Sequence, residues 1–420
     1  MVPGTIHGPM EIRARAFTGV VRYFTLLAGL GIIFVAGTLL HPQFLTIANQ
    51  RDVLAQVSIN GILAVGMTLV ILTAGIDLSV GSVMSLCTVV CAILLMERGH
   101  SVPQQRAAIV VQIAVLVPLV ALAYWAHRRI RRAGYYYRAY LPWLALPVVA
   151  IEFSVREGMS AVGVLILVPL VGGLLGAVNG AIIAKTRLQP FIVTLAMMIA
   201  AVGLAKYIAG NGGQIHAIYT GDAERPGAPA SFEQLGATVL TVGQEALRGG
   251  KLRDLKLIPI PGLFLLGAWL WAAFVLNKLA LGRYVYAIGG NEEAARLAGV
   301  SVGGVKMFVY TACGVLAGLA AVLYCAQYTQ GKADAGQGKE LDAIAAVVIG
   351  GTSLMGGRGS ILGTLVGVLI FGYLTNILQL RAVSSEIQDI LKGVIIVGAA
   401  VVQSGNIVAT LRAAVLRRTT

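Results

Sequence analysis

The sequence predicts an all-α, polytopic membrane protein of about 12 transmembrane helices, at least one of them broken, with both termini cytoplasmic. Three observations carry this. The chain is 57% hydrophobic and only 12% charged, with a mean hydropathy of +0.83, where soluble domains are about 25% charged. Apolar runs of about 17–25 residues, the length that crosses hydrocarbon, recur along it. They are continuous rather than alternating, which argues against a β-barrel. The third observation is that the net charge of +14 separates cleanly by side once the runs are threaded.

The runs fall near 24–41, 53–74, 79–96, 107–126, 140–156, 160–184, 190–209, 258–277, 305–327, 341–354, 360–379 and 386–409. The segment 1–23 is basic and precedes an apolar run. No small-residue cleavage pattern follows His41-Pro42, so the first run reads as a retained span. Arg128–Arg138 with Tyr135, Tyr136 and Tyr137 reads as an orientation signal at the interface. The weakest run is 140–156, with Pro142, Pro147 and Glu152. The one long polar insert, 210–257, falls outside the membrane. It reads either as a flexible loop or as carrying a lateral helix around Phe232–Ala246.

With an even number of spans both termini share a side. Putting the N-terminus inside gathers 18 cations against four acids on the inner segments, and 13 against 14 on the outer ones, Lys392 lying within a span. Cytoplasmic loops carry such an excess of Lys and Arg. The same count explains the basic pI without nucleic acid. Cys87, Cys91, Cys313 and Cys325 lie in apolar runs and read as small core residues.

Two interruptions of the apolar pattern stand out, TAGIDLSVGS (Thr73–Ser82) and VVIGGTSLMGGRGS (Val347–Ser360). Non-helical backbone at membrane depth survives only where protein or a wet cavity satisfies it, and broken, Gly-rich helices build polar paths. Thr73, Gly75, Asp77, Ser79, Gly81 and Ser82, with Gly350, Gly351, Thr352 and Ser353, are therefore candidate path-lining residues. A packing role, with glycines for close approach and hydroxyls for caps, stands beside that reading. Asp77 suits an N-cap or loop-orienting role. The run 341–354 is short, which favours a discontinuous helix there.

Ionisable residues at depth are few. Lys392 lies one turn from Asp389, and Glu340 and Asp342 fall near an outer end. No chain of buried acids suited to a proton relay is evident. Neither GGTSLMGGRGS nor AGQGKE completes a phosphate-binding loop, and no metal-ligand spacing or nucleophile triad is present in the apolar runs. The chain therefore reads as a transporter part without its own ATPase or cofactor.

Between two apolar runs sits GGNEEAARLAG, Gly289–Gly299. Asn291 can cap a short helix, Glu292 and Glu293 complement its N-terminus, and Gly299 can end it. Too short to span, it suits docking of a soluble partner, within an inner loop of 278–304.

Four blocks, Ile62–Ser82, Ala184–Met198, Leu281–Val302 and Glu340–Gly367, resemble the ribose/xylose-type sugar permeases, membrane subunits of bacterial ABC importers. The resemblance covers about 50–96 and 160–400. It implies a single permease domain over 1–420 in the bacterial inner membrane, a homodimer with a second permease copy, and monosaccharide import by alternating access. It also implies a cytoplasmic ABC ATPase with two fused nucleotide-binding domains, holding ATP and Mg, and a periplasmic sugar-binding protein. The family's coupling helix falls on Asn291–Gly299, where Glu292, Glu293 and Arg296 would make polar contacts with the ATPase and Ala295 and Leu297 would pack on it. Nucleosides, cyclitols or a signalling furanose are the alternative cargo, and a self-contained secondary transporter is a further alternative. Two departures are the spans within 107–156, which read as a two-helix insertion, and the long 210–257 segment.

Overall fold

The computed structural model describes residues 9–96 and 160–403, apart from 187, 211–212, 221–226 and 247–251. The two-helix insertion expected at 107–156 lies outside the described residues. Six described helices are long and apolar enough to cross a membrane: α2 (Ile47–Leu72), α4 (Ala161–Thr186), α5 (Pro190–Ala209), α7 (Ile260–Lys278), α10 (Val302–Tyr328) and α12 (Ile361–Leu380). The apolar part of α1 (Pro9–Leu40) and the helix α3 (Val80–Leu95) are shorter. Every run expected within the described residues is helical, with ends shifted by a few residues.

The central helix is α2, apolar all round and buried through most of its length, as a core helix must be. Thr46 caps it, accepting from the Asn49 N–H at 3.3 Å. Just before it, Phe44 is fully buried against Phe34 of α1 and Tyr373 of α12, with ring centroids 5.4 and 5.7 Å away. Asn49 and Asn376 exchange amide hydrogen bonds of 3.0 and 2.8 Å, tying α2 to α12. On the other side α4 and α10 lie backbone to backbone. A Cβ at Gly172 would overlap the Gly314 carbonyl, and one at Gly176 the Tyr310 carbonyl. This is the small-residue seam by which helices associate in lipid.

Two spans are broken, and they run in opposite directions. The helix α2 ends at Leu72, the irregular segment 73–79 follows, and α3 begins at Val80. Antiparallel to α2, α10 ends at Tyr328 and is followed by the irregular segment 329–338, then by α11 (Lys339–Ile349). That second segment returns along α3: Gly331 packs on Thr88 and Ala92, and Gly336 on Gly81. The start of α11 thus meets the start of α3. With 11 residues, α11 is about 16 Å long and covers half a membrane. The discontinuous helix expected around 341–354 is this one. Asp342 therefore does not lie near an outer end, because the chain has already re-entered the bundle over 329–338. It sits in the first turn of α11, buried.

The insert 210–257 is neither a plain loop nor a helix through Ala246. Among its described residues only α6 (Ala230–Glu233) is α-helical, followed by a 3₁₀ turn. The chain then forms an antiparallel hairpin of β2 (Thr238–Ala246) and β3 (Leu252–Pro259), with a bulge at Thr241–Gly243. The β-branched run Thr238, Val239, Thr241, Val242 favours strand over helix. A second small ladder pairs β1 (His216–Ala217) with β4 (Gln330–Gly331). The last described helix, α13 (Ser385–Gln403), packs on α11.

Candidate functional site

At one end of the bundle lie the end of α2, the junction of α4 and α5, α8 (Ala280–Gly290), α9 (Glu292–Leu297) and the start of α10. The amphipathic α8 was not foreseen from the sequence, where its apolar face is too short to register as a span. Lys185, Lys278, Arg283, Arg296, Lys306 and Arg358, all assigned to the inner side from the sequence, belong to this end. The Gly357 N–H donates to the Leu72 carbonyl at 3.0 Å, and Gly289 packs on that same carbonyl, so the 350–360 turn, α2 and α8 interlock.

The cap and the stop of α9 are built as its residues predict. The Asn291 side chain accepts from the Ala294 N–H at 2.9 Å. Arg296 reaches Glu292 at 3.2 Å and Glu293 at 3.6 Å. Gly299, at φ +83°, ends the helix in the left-handed conformation that favours glycine. Two details were not legible. Lys306 of α10 pairs with Glu292 at 2.7 Å, bolting α9 to a core helix. Ala295 is turned into the chain itself, so of the two residues expected to pack outward only Leu297, 81% exposed, is presented. Met355 on the neighbouring turn is 83% exposed beside the same basic end.

Deeper in, Asp77 orients the entry to α3. Its carboxylate accepts from the Ser79 N–H at 2.9 Å and the Ser79 hydroxyl at 2.6 Å, an Asx turn in place of a simple N-cap. Ser79 accepts in turn from Asn179 Nδ2 of α4 at 2.9 Å. Thr194 Oγ1 of α5 donates to the Ile76 carbonyl at 3.2 Å. Asn179 Oδ1 and the Tyr310 hydroxyl, both buried, take no partner among the described residues. Gly75 is held against that hydroxyl with no room for a Cβ. This polar knot satisfies the backbone that leaves α2 before α3 can begin.

The structure divides the ten path candidates. Thr73 caps α2, its hydroxyl donating to the Val70 carbonyl at 2.8 Å. Gly81 and Ser82 are buried, with Gly81 against Gly336 and Glu340. Gly350 packs on the Gly363 carbonyl of α12 and Gly351 adopts φ +82°. Thr352 is fully buried, with no partner for its hydroxyl among the described residues. The Ser353 N–H closes the turn on the Arg358 carbonyl at 2.8 Å. The two blocks touch where Gly356 packs on Ala74, not through Asp77 or Ser79. Sequence reasoning missed Ser85 and Thr88. Ser85 Oγ accepts from the Gly336 N–H at 2.8 Å, and Thr88 Oγ1 accepts from the Lys332 N–H at 3.2 Å. Hydroxyls one turn apart inside an otherwise apolar run were the available signal.

At the basic end lies a cavity of about 430 Å³, whose walls include Thr73, Ala74, Gln189, Glu292, Arg296 and Lys306. It joins α9 to the start of the α2–α3 break. Among the described residues no group of His, Cys, Asp and Glu is placed to hold a metal.

A bundle with opposed broken helices, polar knots at depth and a capped helix on its basic face defines a membrane permease component. The chain belongs to the family described as branched-chain amino acid transport system / permease component, whose model matches residues 50–400. It is 37% identical over 396 residues to the ribose import permease protein RbsC of Escherichia coli (strain K12), covering 91% of this chain and 96% of that one. RbsC of Bacillus subtilis (strain 168) is 33% identical over 380 residues, 90% and 92% of the two chains. The xylose transport system permease protein XylH of Escherichia coli (strain K12) is 33% identical over 360 residues, 84% of each. No solved structure matches at a significant level.

Proposed function

We propose that this chain is the membrane subunit of a bacterial ABC importer that carries a monosaccharide, a pentose or hexose, across the inner membrane. The names of its relatives, ribose and xylose permeases, support the cargo. In this reading two copies pair, and a periplasmic sugar-binding protein delivers substrate to the face bearing the 238–259 hairpin. A cytoplasmic ATPase with two fused nucleotide-binding domains, holding ATP and Mg, docks on the basic face. Both termini are cytoplasmic. Thr73–Ser82 and Gly350–Ser353 border the path.

One observation carries the mechanism: α9 is ion-paired to α10 and shares a cavity with Thr73 at the α2–α3 break. A push on Leu297, Glu293 and their neighbours by the ATPase therefore reaches α10 and the start of the broken span directly. Alternating access needs such a rigid link between the energy source and a segment with two arrangements.

The test is a mild-detergent pull-down of the tagged chain from its host, followed by reconstitution. Recovery of a tandem ATPase, with ATP-dependent uptake of labelled D-ribose or D-xylose, is the expected result. Uptake of L-leucine in preference to either sugar would redirect the cargo. Recovery of the chain alone, transporting sugar in ATP-free proteoliposomes, would overturn the importer reading.

A further inference from the structure

A second polar cavity, of about 210 Å³, lies between α2, α11, α12 and α13. Its walls include Gln56, Asn60, Lys339, Asp342, Gln388 and Lys392. It sits at depth: Asn60 is the middle of the 26-residue α2, and Lys339 and Asp342 form the first turn of α11 where that helix starts beside Gly81. Lys392 Nζ bridges Asp389 at 3.1 Å and Asp342 at 3.3 Å, and Lys339 stands 3.9 Å from Asp342. The pair with Asp389 was legible in the sequence. The reach to Asp342, on another helix, was not, and snorkelling towards water does not explain it. Ionisable groups at membrane depth are costly and mark solute pathways.

We propose that this cavity is a way-station that binds a neutral, polyhydroxylated solute, a monosaccharide, on its way across the membrane. The proposal rests on the importer reading above and names a site for it. Two lysines and two aspartates bring the charge of the walls to zero, and each lysine already faces a carboxylate. The cavity therefore offers no excess field to an anion or a cation. What it offers are the amides of Gln56, Asn60 and Gln388, which can both donate and accept. Asn60 Oδ1 is out of reach of solvent and takes no hydrogen-bond partner among the described residues. Gln56 and Asn60 are four residues apart, on one face of α2. At about 210 Å³ the space falls below the 300–1,000 Å³ of drug-sized pockets, as suits a single sugar ring.

The test uses the full chain with its ATPase and binding protein in proteoliposomes, with D-ribose and D-xylose as probes. Wild-type vesicles that take up neither sugar would overturn the importer reading, and this proposal with it. Given wild-type uptake, Gln56→Cys is pulsed with a hydrophilic maleimide. The four native cysteines are buried and provide the unreactive background. Sugar at about ten times its half-saturating concentration is expected to slow labelling of the introduced thiol roughly tenfold, by mass action. Asn60→Leu, with the ATPase still bound, is expected to raise the half-saturating concentration about tenfold, the factor one lost hydrogen bond gives. Labelling at one rate with and without either sugar, in vesicles that still transport it, overturns the way-station and leaves the importer standing.

Discussion

Gly336→Ala tests whether the meeting of the two broken spans holds the fold. A Cβ at Gly336 would overlap the carbonyl of Gly81, and the atoms it meets are backbone, which cannot swing aside. Relief requires the 329–338 segment to move off α3. That movement stretches the 2.8 Å hydrogen bond from the Gly336 N–H to Ser85. Overpacking of this kind costs about 1–3 kcal/mol, and a weakened hydrogen bond adds about 0.5–1.5 kcal/mol. The backbone of Gly336 has a negative φ or an extended conformation, so no gain or loss from a left-handed geometry enters. Gly267→Ala is the control. It lies inside α7 with nothing within 4 Å of an added Cβ, and should gain up to about 1 kcal/mol from helix propensity. The two variants change the same atoms and should move in opposite directions. The assay is the midpoint of heat-induced loss of monodisperse protein in detergent, measured by fluorescence-detected size exclusion. A Gly336→Ala midpoint at or above that of wild type would refute the backbone contact, and with it the placement of α11 against α3.

Four further outcomes are expected. Asn49→Ala strands a part-buried amide of Asn376 and should cost about 1–3 kcal/mol, while the double change with Asn376→Ala should cost less than the sum of the singles; additivity in a double-mutant cycle would deny the reciprocal pair. Ala74, at φ +59° against Gly356, carries left-handed strain, so Ala74→Gly should raise the thermal midpoint by the equivalent of about 1 kcal/mol, and a lower midpoint would contradict that backbone. Lys306→Met frees Glu292 from α10 without touching the outward face of α9. ATP-dependent sugar uptake should then fall further than ATPase recovery in the pull-down, whereas unchanged uptake would argue that the ion pair transmits nothing. Because Lys306 ties Glu292 to α10, whereas Glu293 pairs only within α9 and is the more exposed, Glu293→Lys with Leu297→Asp is the cleaner probe of docking, expected to lose the ATPase while the fold persists.

What was legible from residues alone follows a single rule: local order along the chain encodes what its own neighbours can satisfy. Apolar runs long enough to cross hydrocarbon must be helical there, because only a helix pairs its backbone within the segment. The cap and the stop of α9 lie within a few residues of one another, so this short helix could be read outright. The glycine and hydroxyl interruptions likewise announced broken spans. Beyond that reach the sequence was silent. The irregular 329–338 segment survives at depth because Ser85 and Thr88 hold its backbone from roughly 250 positions away. Lys392 acquired its second carboxylate, Asp342, only when α11 and α13 packed together. The hairpin at 238–259 depends on pairing between two strands whose individual signals also suited a loop. Ala295 faced inward because α10 stands behind it. Periodicity states that a face will be covered; only the packed helices determine which distant group covers it, and so where the polar cavities form.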